Sequence, residues 1–412
     1  MVQTGRSSGR RAGKFRFDKT MSKPTFYEFF AGGGMARAGL GDAWECTFAN
    51  DICKMKAEVY RKNWSPKGTA DHLLVRDVGL LSSLNLPGKA DLAWASFPCQ
   101  DLSLAGKGKG IGEESEEPET RSGAFWGFWS LMRQLAKEKR KPRSMVLENV
   151  TGFLSANNSQ DFRIVCDCIA SLGYKLGALV IDAKYFVPQS RPRVFLVAID
   201  SNEHMAAALH SKTPKEPWHP KALTRAFEHI SKEAQARWCW WDLPVPPKRN
   251  TVLSDLIEEI PVGVEWNSDD VTKRLIGMMS PANYSKLVAA QEEGQRVVGT
   301  IYKRTRIEQG ARVQRAEVRF DGVAGCLRTP GGGSSRQTII IVEGSSVQTR
   351  LLSPGEAAAL MGLQDFWLPA RYNDAYHVAG DGVCVPAVRY IAESIIEPML
   401  ELSTCTDLSA AA

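Results

Sequence analysis

The sequence predicts an α/β protein: a doubly wound, mostly parallel sheet with a second, smaller, irregular domain inserted late in the chain. Three observations predict it. From residue 24 to about residue 200, short β-rich apolar runs alternate with stretches of helical periodicity. From 201 to 349 the alternation stops. Prolines cluster there at Pro244, Pro246 and Pro247, and tryptophans gather at Trp218, Trp238, Trp240 and Trp241. After Arg350 the regular pattern returns.

The strands are expected at 25–30, 47–50, 92–96, 145–148, 178–182 and 195–199, with helices at 54–63, 124–139 and 159–171. Short strands are expected near 297–302 and 337–342, then a helix over 354–361 and another reaching about residue 400. The chain thus divides into an arm (1–22), an α/β segment (23–200), an insert (201–349), a return to the first domain (350–402) and a tail (403–412). Ligands of such a sheet sit at the carboxyl ends of its strands. Phe30-Ala31-Gly32, Asn50-Asp51, Phe97-Pro98-Cys99 and Glu148-Asn149 all fall at such ends, which puts the chemistry on one rim.

Composition narrows the class. Of 412 residues, 43% are hydrophobic, enough for a sizeable core. No apolar run approaches the roughly 18 residues that span a membrane, so no membrane partner is expected. The basic N-terminus lacks the apolar stretch of a secretory signal. Nine cysteines are spread without a CxxC pair, which argues for a reducing, cytoplasmic setting and against disulfides or a metal site. Cys166 and Cys168 read as buried free thiols on a helix. Residues 1–23 carry seven Lys/Arg against Asp18, which alone accounts for the net charge of +6. The arm is Gly/Ser/Arg-rich and apolar-poor, so it is read as disordered. Any nucleic-acid surface on the folded part must come from local patches.

The run Phe30-Ala31-Gly32-Gly33-Gly34-Met35-Ala36-Arg37 reads as strand, glycine turn and helix start. A dinucleotide fingerprint would place glycines at 32, 34 and 37; Arg37 breaks it, and the loop fits S-adenosylmethionine better than NAD. Asp51 stands where a second strand presents a carboxylate to ribose hydroxyls, and Asp77 where an acid can accept from an adenine amino group.

Cys99 follows a proline at the end of the apolar run Ala93–Phe97. Cytosine C5 is a poor nucleophile, and a thiolate adding to C6 makes it a better one. An unperturbed thiol, with a pKa of about 8.5, is only a few per cent ionised at neutral pH, so nearby cations matter; Arg191 and Arg193 are the candidates. Glu148 is the acid for N3, Asn149 the residue to hold the local turn or the cysteine loop, and a guanidinium of Arg191 or Arg193 the clamp on cytosine O2 and the acid.

Together these motifs resemble the DNA (cytosine-5) methyltransferase family over residues 24–200 and 350–400. Ser96-Phe97-Pro98-Cys99-Gln100 resembles its catalytic loop, Glu148-Asn149-Val150 its acid motif and Gln189-Ser190-Arg191-Pro192-Arg193 its QxRxR motif. The resemblance assigns base contact to Arg193 and support to Gln189 and Arg191. It implies S-adenosylmethionine at Phe30, Ala31, Gly32, Gly34, Asp51, Asp77, Phe97, Pro98, Asp381 and Val383. Arg350–Glu356 resembles the late motif supporting a target-recognition domain, and Gly380–Pro386 the segment packed beside the glycine loop. Three residues depart from the pattern: Asp381 replaces an asparagine, Met35 a second glycine and Ser96 the glycine before Phe97.

The implied partner is double-stranded DNA, bound by a monomer that flips out its target base. The implied setting is a prokaryotic cytoplasm, in a restriction–modification system with a cognate endonuclease acting on the same site, or else as a phage or orphan methylase without one. Gln100, Ser103, Lys107 and Lys109 belong to the loop expected to close on DNA. An acidic run, Glu113–Thr120, interrupts it and is expected to bulge into solvent and slow or gate closure. Target reading falls to 201–349, where residues 296–336 hold nine basic residues against three acidic ones, Arg328 and Arg336 among them. The main rival reading is a tRNA cytosine-5 methyltransferase, disfavoured by the long insert. A non-catalytic DNA-binding relative is disfavoured by the intact Cys99, Glu148 and Arg193, and an NAD enzyme by Arg37.

Overall fold

In a computed structural model of the chain the described residues are 22–65, 72–98, 123–328 and 336–402. Cys99, Gln100, Ser103, Lys107, Lys109 and the acidic run lie outside them, as do the arm, residues 329–335 and the tail. The strands β1 (Thr25–Phe29), β2 (Glu45–Asp51), β3 (Leu73–Val75), β4 (Leu92–Ala95), β5 (Ser144–Val150), β6 (Tyr174–Asp182) and β7 (Pro192–Asp200) form one sheet in the order β3-β2-β1-β4-β5-β7-β6. Its pairings are parallel except for β7, which runs antiparallel to both β5 and β6. Every residue of β4 and all but the last of β5 are buried. A strand covered on both faces must be a continuous apolar run, and that is how both read in the sequence. β3 has only three residues, too few to show a pattern.

Helices α1 (Met35–Leu40), α2 (Lys54–Trp64), α3 (Gly123–Lys137) and α4 (Gln160–Ser171) connect these strands. Phe162, Val165, Cys166 and Ile169 bury one face of α4 at helical spacing, and Cys166 and Cys168 are buried free thiols. Next come β8 (His210–Ser211), α5 (Lys221–His229), α6 (Lys232–Ala236) and β9 (Trp240–Trp241), which pack against α4 and β6. Leu176 donates to Arg237 O and accepts from Cys239 N, at 3.0 and 2.7 Å. The tryptophan-rich start of the insert therefore covers the first domain's sheet.

The rest of the insert is more regular than its sequence suggested. It holds α7 (Asp269–Gly277), α8 (Pro281–Glu292) and an antiparallel sheet of β10 (Arg296–Glu308), β11 (Ala311–Arg319), β12 (Thr338–Glu343) and β13 (Ser346–Leu351), in the order β11-β10-β12-β13. β10 and β11 form a hairpin closed by Gln309-Gly310, both at positive φ, the geometry that matches strand twist in a two-residue turn. The outer half of β10 is exposed and charged. It carries no apolar alternation, so the sequence hid it. Met279, Leu287, Ile301, Val318, Ile340 and Val342 form a separate core here.

The chain returns through α9 (Pro354–Ala359), α10 (Tyr372–Asp381) and α11 (Val385–Ile391), the last continuing through a single π turn at Ala392–Ile396. Ser353 and Glu356 form a reciprocal capping box on α9 with Pro354 in its first turn. α11 packs against α1 at Gly39, where a Cβ would lie 2.4 Å from Val388 Cβ and 2.7 Å from Val385 O. Among the described residues, no helix is long and apolar enough to cross a membrane, and no three His, Cys, Asp or Glu side chains are grouped to hold a metal.

Candidate active site

Glu148 lies near the end of β5 and pairs with Phe195 of β7, two residues beyond Arg193. Antiparallel register therefore puts Glu148 and Arg193 diagonally on one face. Arg193 Nε stands 3.1 Å from Glu148 Oε1. Burial raises the pKa of the Glu148 carboxyl, while Arg193, Arg191 and a hydrogen bond from Ser96 pull it back down. Ser96 in turn accepts from the buried Trp94 indole at 3.1 Å. An indole N–H only donates, so the Ser96 hydrogen is left for Glu148. Next in the chain, Asn149 Nδ2 donates to Phe97 O at 3.2 Å, and its Oδ1 accepts from Val150 N at 2.8 Å. Phe97 is wedged between Phe125 and Phe153, and Pro98 is exposed at the last described position before Cys99.

The residues ahead of Arg193 fasten three segments together. The fully buried Gln189 donates to Leu360 O at 2.7 Å and accepts from Leu327 N at 3.0 Å. Arg191, also buried, donates to Leu327 O, Gly380 O and Gly382 O at 3.0, 2.9 and 2.8 Å. Its guanidinium is thus committed to backbone carbonyls, a positioning arrangement, and Arg193 alone faces the acid. Cys326 Sγ sits between the two arginines, 3.4 Å from Arg191 Nη1 and 3.8 Å from Arg193 Nη2.

Beside this pair lies the glycine turn. Phe30, Gly32 and Gly34 all take positive φ, at 56, 56 and 83°. Ala31 N donates to Asn50 O, and Gly34 N to Ala31 O. Asp51 holds the turn rigid: Oδ2 accepts from Gly32 N at 2.8 Å and Oδ1 from Cys53 N at 2.7 Å. The place of a Gly32 Cβ is open, with only Lys56 Cδ within reach at 4.0 Å. That is a cradle for a ligand that lies close to backbone. Asp77 is exposed on the same rim and caps the turn after it by accepting from Gly79 N. Val383 is buried, and Gly382 packs so closely on Met35 that a Cβ would lie 1.8 Å from its sulfur. Asp381 pairs with Lys56 Nζ at 2.6 Å.

On the other side, a cleft of about 460 Å³ opens between the insert and the QxRxR segment, lined by Lys286, Tyr302, Arg304, Arg319, Cys326 and Arg328. Arg328 faces it. Arg336, the other arginine expected at DNA, does not stand free: its Nη2 donates to Asn373 at 2.7 Å, and its guanidinium lies 5.4 Å from the Tyr372 ring centroid. The sequence reading noted Ser96 only as a departure, and it missed Cys326, Lys56, Lys286 and Tyr302. No motif marked them, because their placement depends on segments far apart in the chain.

The model of the family described as C-5 cytosine-specific DNA methylase matches residues 24–397. The Type II methyltransferase M.HhaI of Haemophilus parahaemolyticus is 24% identical over 382 residues, spanning 92% of this chain and 96% of that protein. M.BsuFI of Bacillus subtilis, another Type II methyltransferase, is 24% identical over 391 residues, 92% of this chain and 74% of its own. Among solved structures, the S. pombe Dnmt2 methyltransferase superposes with a TM-score of 0.52 at 15% identity, covering 91% of this chain and 99% of that one. A putative DNA modification methyltransferase encoded within an E. coli prophage gives 0.51 at 15% identity, with 92% and 99% coverage. At those identities the structures show a shared fold.

Proposed function

We propose, from the premise that this chain belongs to the C-5 cytosine-specific DNA methylase family and is a DNA (cytosine-5)-methyltransferase, that it works through a covalent Cys99–C6 adduct on a cytosine flipped out of a specific duplex sequence. The observation that carries the reading is the Glu148–Arg193 pair, set beside the Asn149–Phe97 bond at the root of the Cys99 segment.

Flipping is required because C6 is unreachable within the stack; unpairing costs a few kcal/mol. Cys99 bonds to C6, and the electron pair moves into the ring. Glu148 holds a proton at N3, where negative charge develops, and Arg193 stabilises both the acid and the base oxygen. S-adenosylmethionine, when bound, supplies an electrophilic methyl group. C5 would take that methyl as the donor's sulfur–methyl bond breaks and the neutral thioether is released; a base or water then removes the C5 proton, the C5–C6 double bond re-forms and the thiolate leaves C6. The residues that would hold the donor are Phe30, Ala31, Gly32, Gly34, Asp51, Asp77, Phe97, Pro98, Asp381 and Val383. The open cradle at Gly32 fits such a ligand. Arg328 in the basic cleft, with Gln100, Ser103, Lys107 and Lys109 of the segment after the cysteine, would contact DNA.

The setting we propose is that of a modification enzyme acting as a monomer in a prokaryotic cytoplasm, paired with an endonuclease for the same sequence. Bisulfite sequencing of DNA from cells expressing the protein tests both activity and target. Recurrent protection of one cytosine in a fixed sequence supports the reading. Methyl transfer to tRNA and none to duplex DNA would overturn it.

A further inference from the structure

Tyr302 stands where the β10–β11 hairpin leaves its sheet. The pairing of β10 with β12 runs from Arg296 to Ile301. Beyond it β10 and β11 continue together as a two-stranded ribbon, with Tyr302 opposite Glu317. Residues 303–307 of that ribbon are exposed, and the major groove of duplex DNA admits such a ribbon.

The Tyr302 side chain ties the ribbon's root to the reaction site. Its hydroxyl is seated on the buried Gly325, where a Cβ would lie 0.7 Å from the hydroxyl oxygen and 1.8 Å from Cζ. Gly325 belongs to the segment that the arginine motif holds. On one side Ala324 N donates to Pro188 O at 2.7 Å, and Ala324 O accepts from Ser190 N at 2.8 Å. On the other, Cys326 Sγ lies between Arg191 and Arg193, and Leu327 is held by Gln189 and Arg191. From the ribbon, the Arg304 guanidinium lies 5.6 Å from the Tyr302 ring centroid and pairs with Glu317 at 3.3 Å. An exposed ion pair of this kind adds little to stability, so Arg304 can exchange Glu317 for DNA at little cost. A line of contacts thus runs from Arg304, in the basic cleft, through Tyr302, Gly325 and Cys326 to Arg193. Close-packed neighbours transmit a displacement instead of absorbing it.

We propose that Tyr302 is a positioning residue: seated on Gly325, it passes the placement of the ribbon on DNA to Arg193, so that a correct sequence is registered in the rate of methyl transfer as well as in affinity. The proposal rests on the reading above, in which Arg193 stabilises the flipped base.

The probe is a duplex carrying the sequence that bisulfite sequencing returns, with the same duplex altered at one recognised base pair. Single-turnover methylation at saturating enzyme gives the rate, and filter binding the affinity. Tyr302→Ala is expected to slow the first duplex by about tenfold or more. Its affinity is expected to stay within about twofold of the wild type, so the rate discrimination between the two duplexes narrows. In an Arg193→Ala background the same substitution is expected to slow methylation little further. Gly325→Ala should be severe in the wild type and mild beside Tyr302→Ala, where the new methyl takes the vacated place. Tyr302→Phe removes only the seated oxygen and is expected to show the same pattern more weakly, in a protein that melts like the wild type. An equal tenfold loss with and without Arg193 overturns the proposal, because Tyr302 would then act independently of it. So does a loss confined to affinity, or wild-type rates in both Tyr302 variants. A wild-type protein that methylates no duplex DNA removes the reading above, and the coupling with it.

Discussion

Arg193 and Glu148 meet diagonally across two antiparallel strands, Nε to Oε1 at 3.1 Å, because the register pairs Glu148 with Phe195. The contact serves two ends. It places a cation where negative charge would develop on a bound base, and it partly offsets the burial that makes Glu148 reluctant to ionise. Arg193→Ala is therefore expected to slow single-turnover methylation by about 10²–10³-fold, with DNA affinity nearly unchanged. Filter binding and rapid quench on the same preparation separate the two effects; a purely thermodynamic loss of DNA binding would contradict this role.

Ser96 tunes the same acid. Its hydroxyl hydrogen favours the ionised carboxylate, so removing it lets the Glu148 pKa rise further. On the proposed mechanism protonated Glu148 is the working acid, so activity should be lost as pH rises through its pKa. Ser96→Ala should move the alkaline limb of the pH–rate profile to higher pH. A limb that stays in place or moves down would show that the hydroxyl does not act on Glu148.

Glu28 on β1 makes a second pH prediction, on stability. It is buried, one carboxylate oxygen accepts from Arg37 N, and the other has no hydrogen-bond partner. Burial pushes its pKa up to about 8 from 4.5, although Arg37 opposes the shift; Asp51 adds to it. Below the unfolded value both states are protonated and the group contributes nothing. Between roughly pH 4.5 and 8 the unfolded chain releases a proton that the folded chain keeps, so stability falls as pH rises. Above that window the loss is complete, on the order of a few kcal/mol. Glu28→Gln should flatten the fall in melting temperature between pH 5 and 9. Parallel wild-type and variant curves would show that Glu28 is not the cause.

Much of the reaction rim was legible in the chain, for a physical reason. A strand buried on both faces must be apolar throughout, so polar residues at its end stand out, as Asp51, Glu148 and Asn149 do. The glycine turn was legible because Gly32 and Gly34 adopt backbone angles that other residues rarely take. Lys56, Cys326 and the carbonyl partners of Arg191 left no such trace. Each gains its role from a neighbour more than a hundred residues away, and local pattern holds no information on that pairing. β11 and the outer half of β10, beyond the strand expected at 297–302, hid for the opposite reason: solvated there, the hairpin needs no alternation.

The docking of α1 on α11 should tolerate no side chain at Gly39. The atoms a Cβ would strike are Val388 Cβ and the Val385 carbonyl, neither at the end of a flexible chain. Gly39→Ala is expected to cost more than about 2 kcal/mol in urea unfolding. A loss below half that would mean the two helices slide apart freely.

Arg350 and Glu356 form a fully buried pair, with the guanidinium centred 5.0 Å from the Trp266 ring. Arg350→Ala strands the Glu356 charge and should cost about 3–5 kcal/mol. The double variant Arg350→Met/Glu356→Leu should recover much of that, and equal destabilisation of single and double variants would argue against an uncompensated charge.

Arg191, just ahead of β7, reaches its acceptors at Leu327, Gly380 and Gly382, 136 to 191 residues further along the polypeptide. On a ribosome, the clamp beside Arg193 therefore cannot close until the segment around Gly380 and Gly382 has left the exit tunnel. A truncated product of interrupted translation would carry the cysteine, the acid and both arginines, and still be chemically silent.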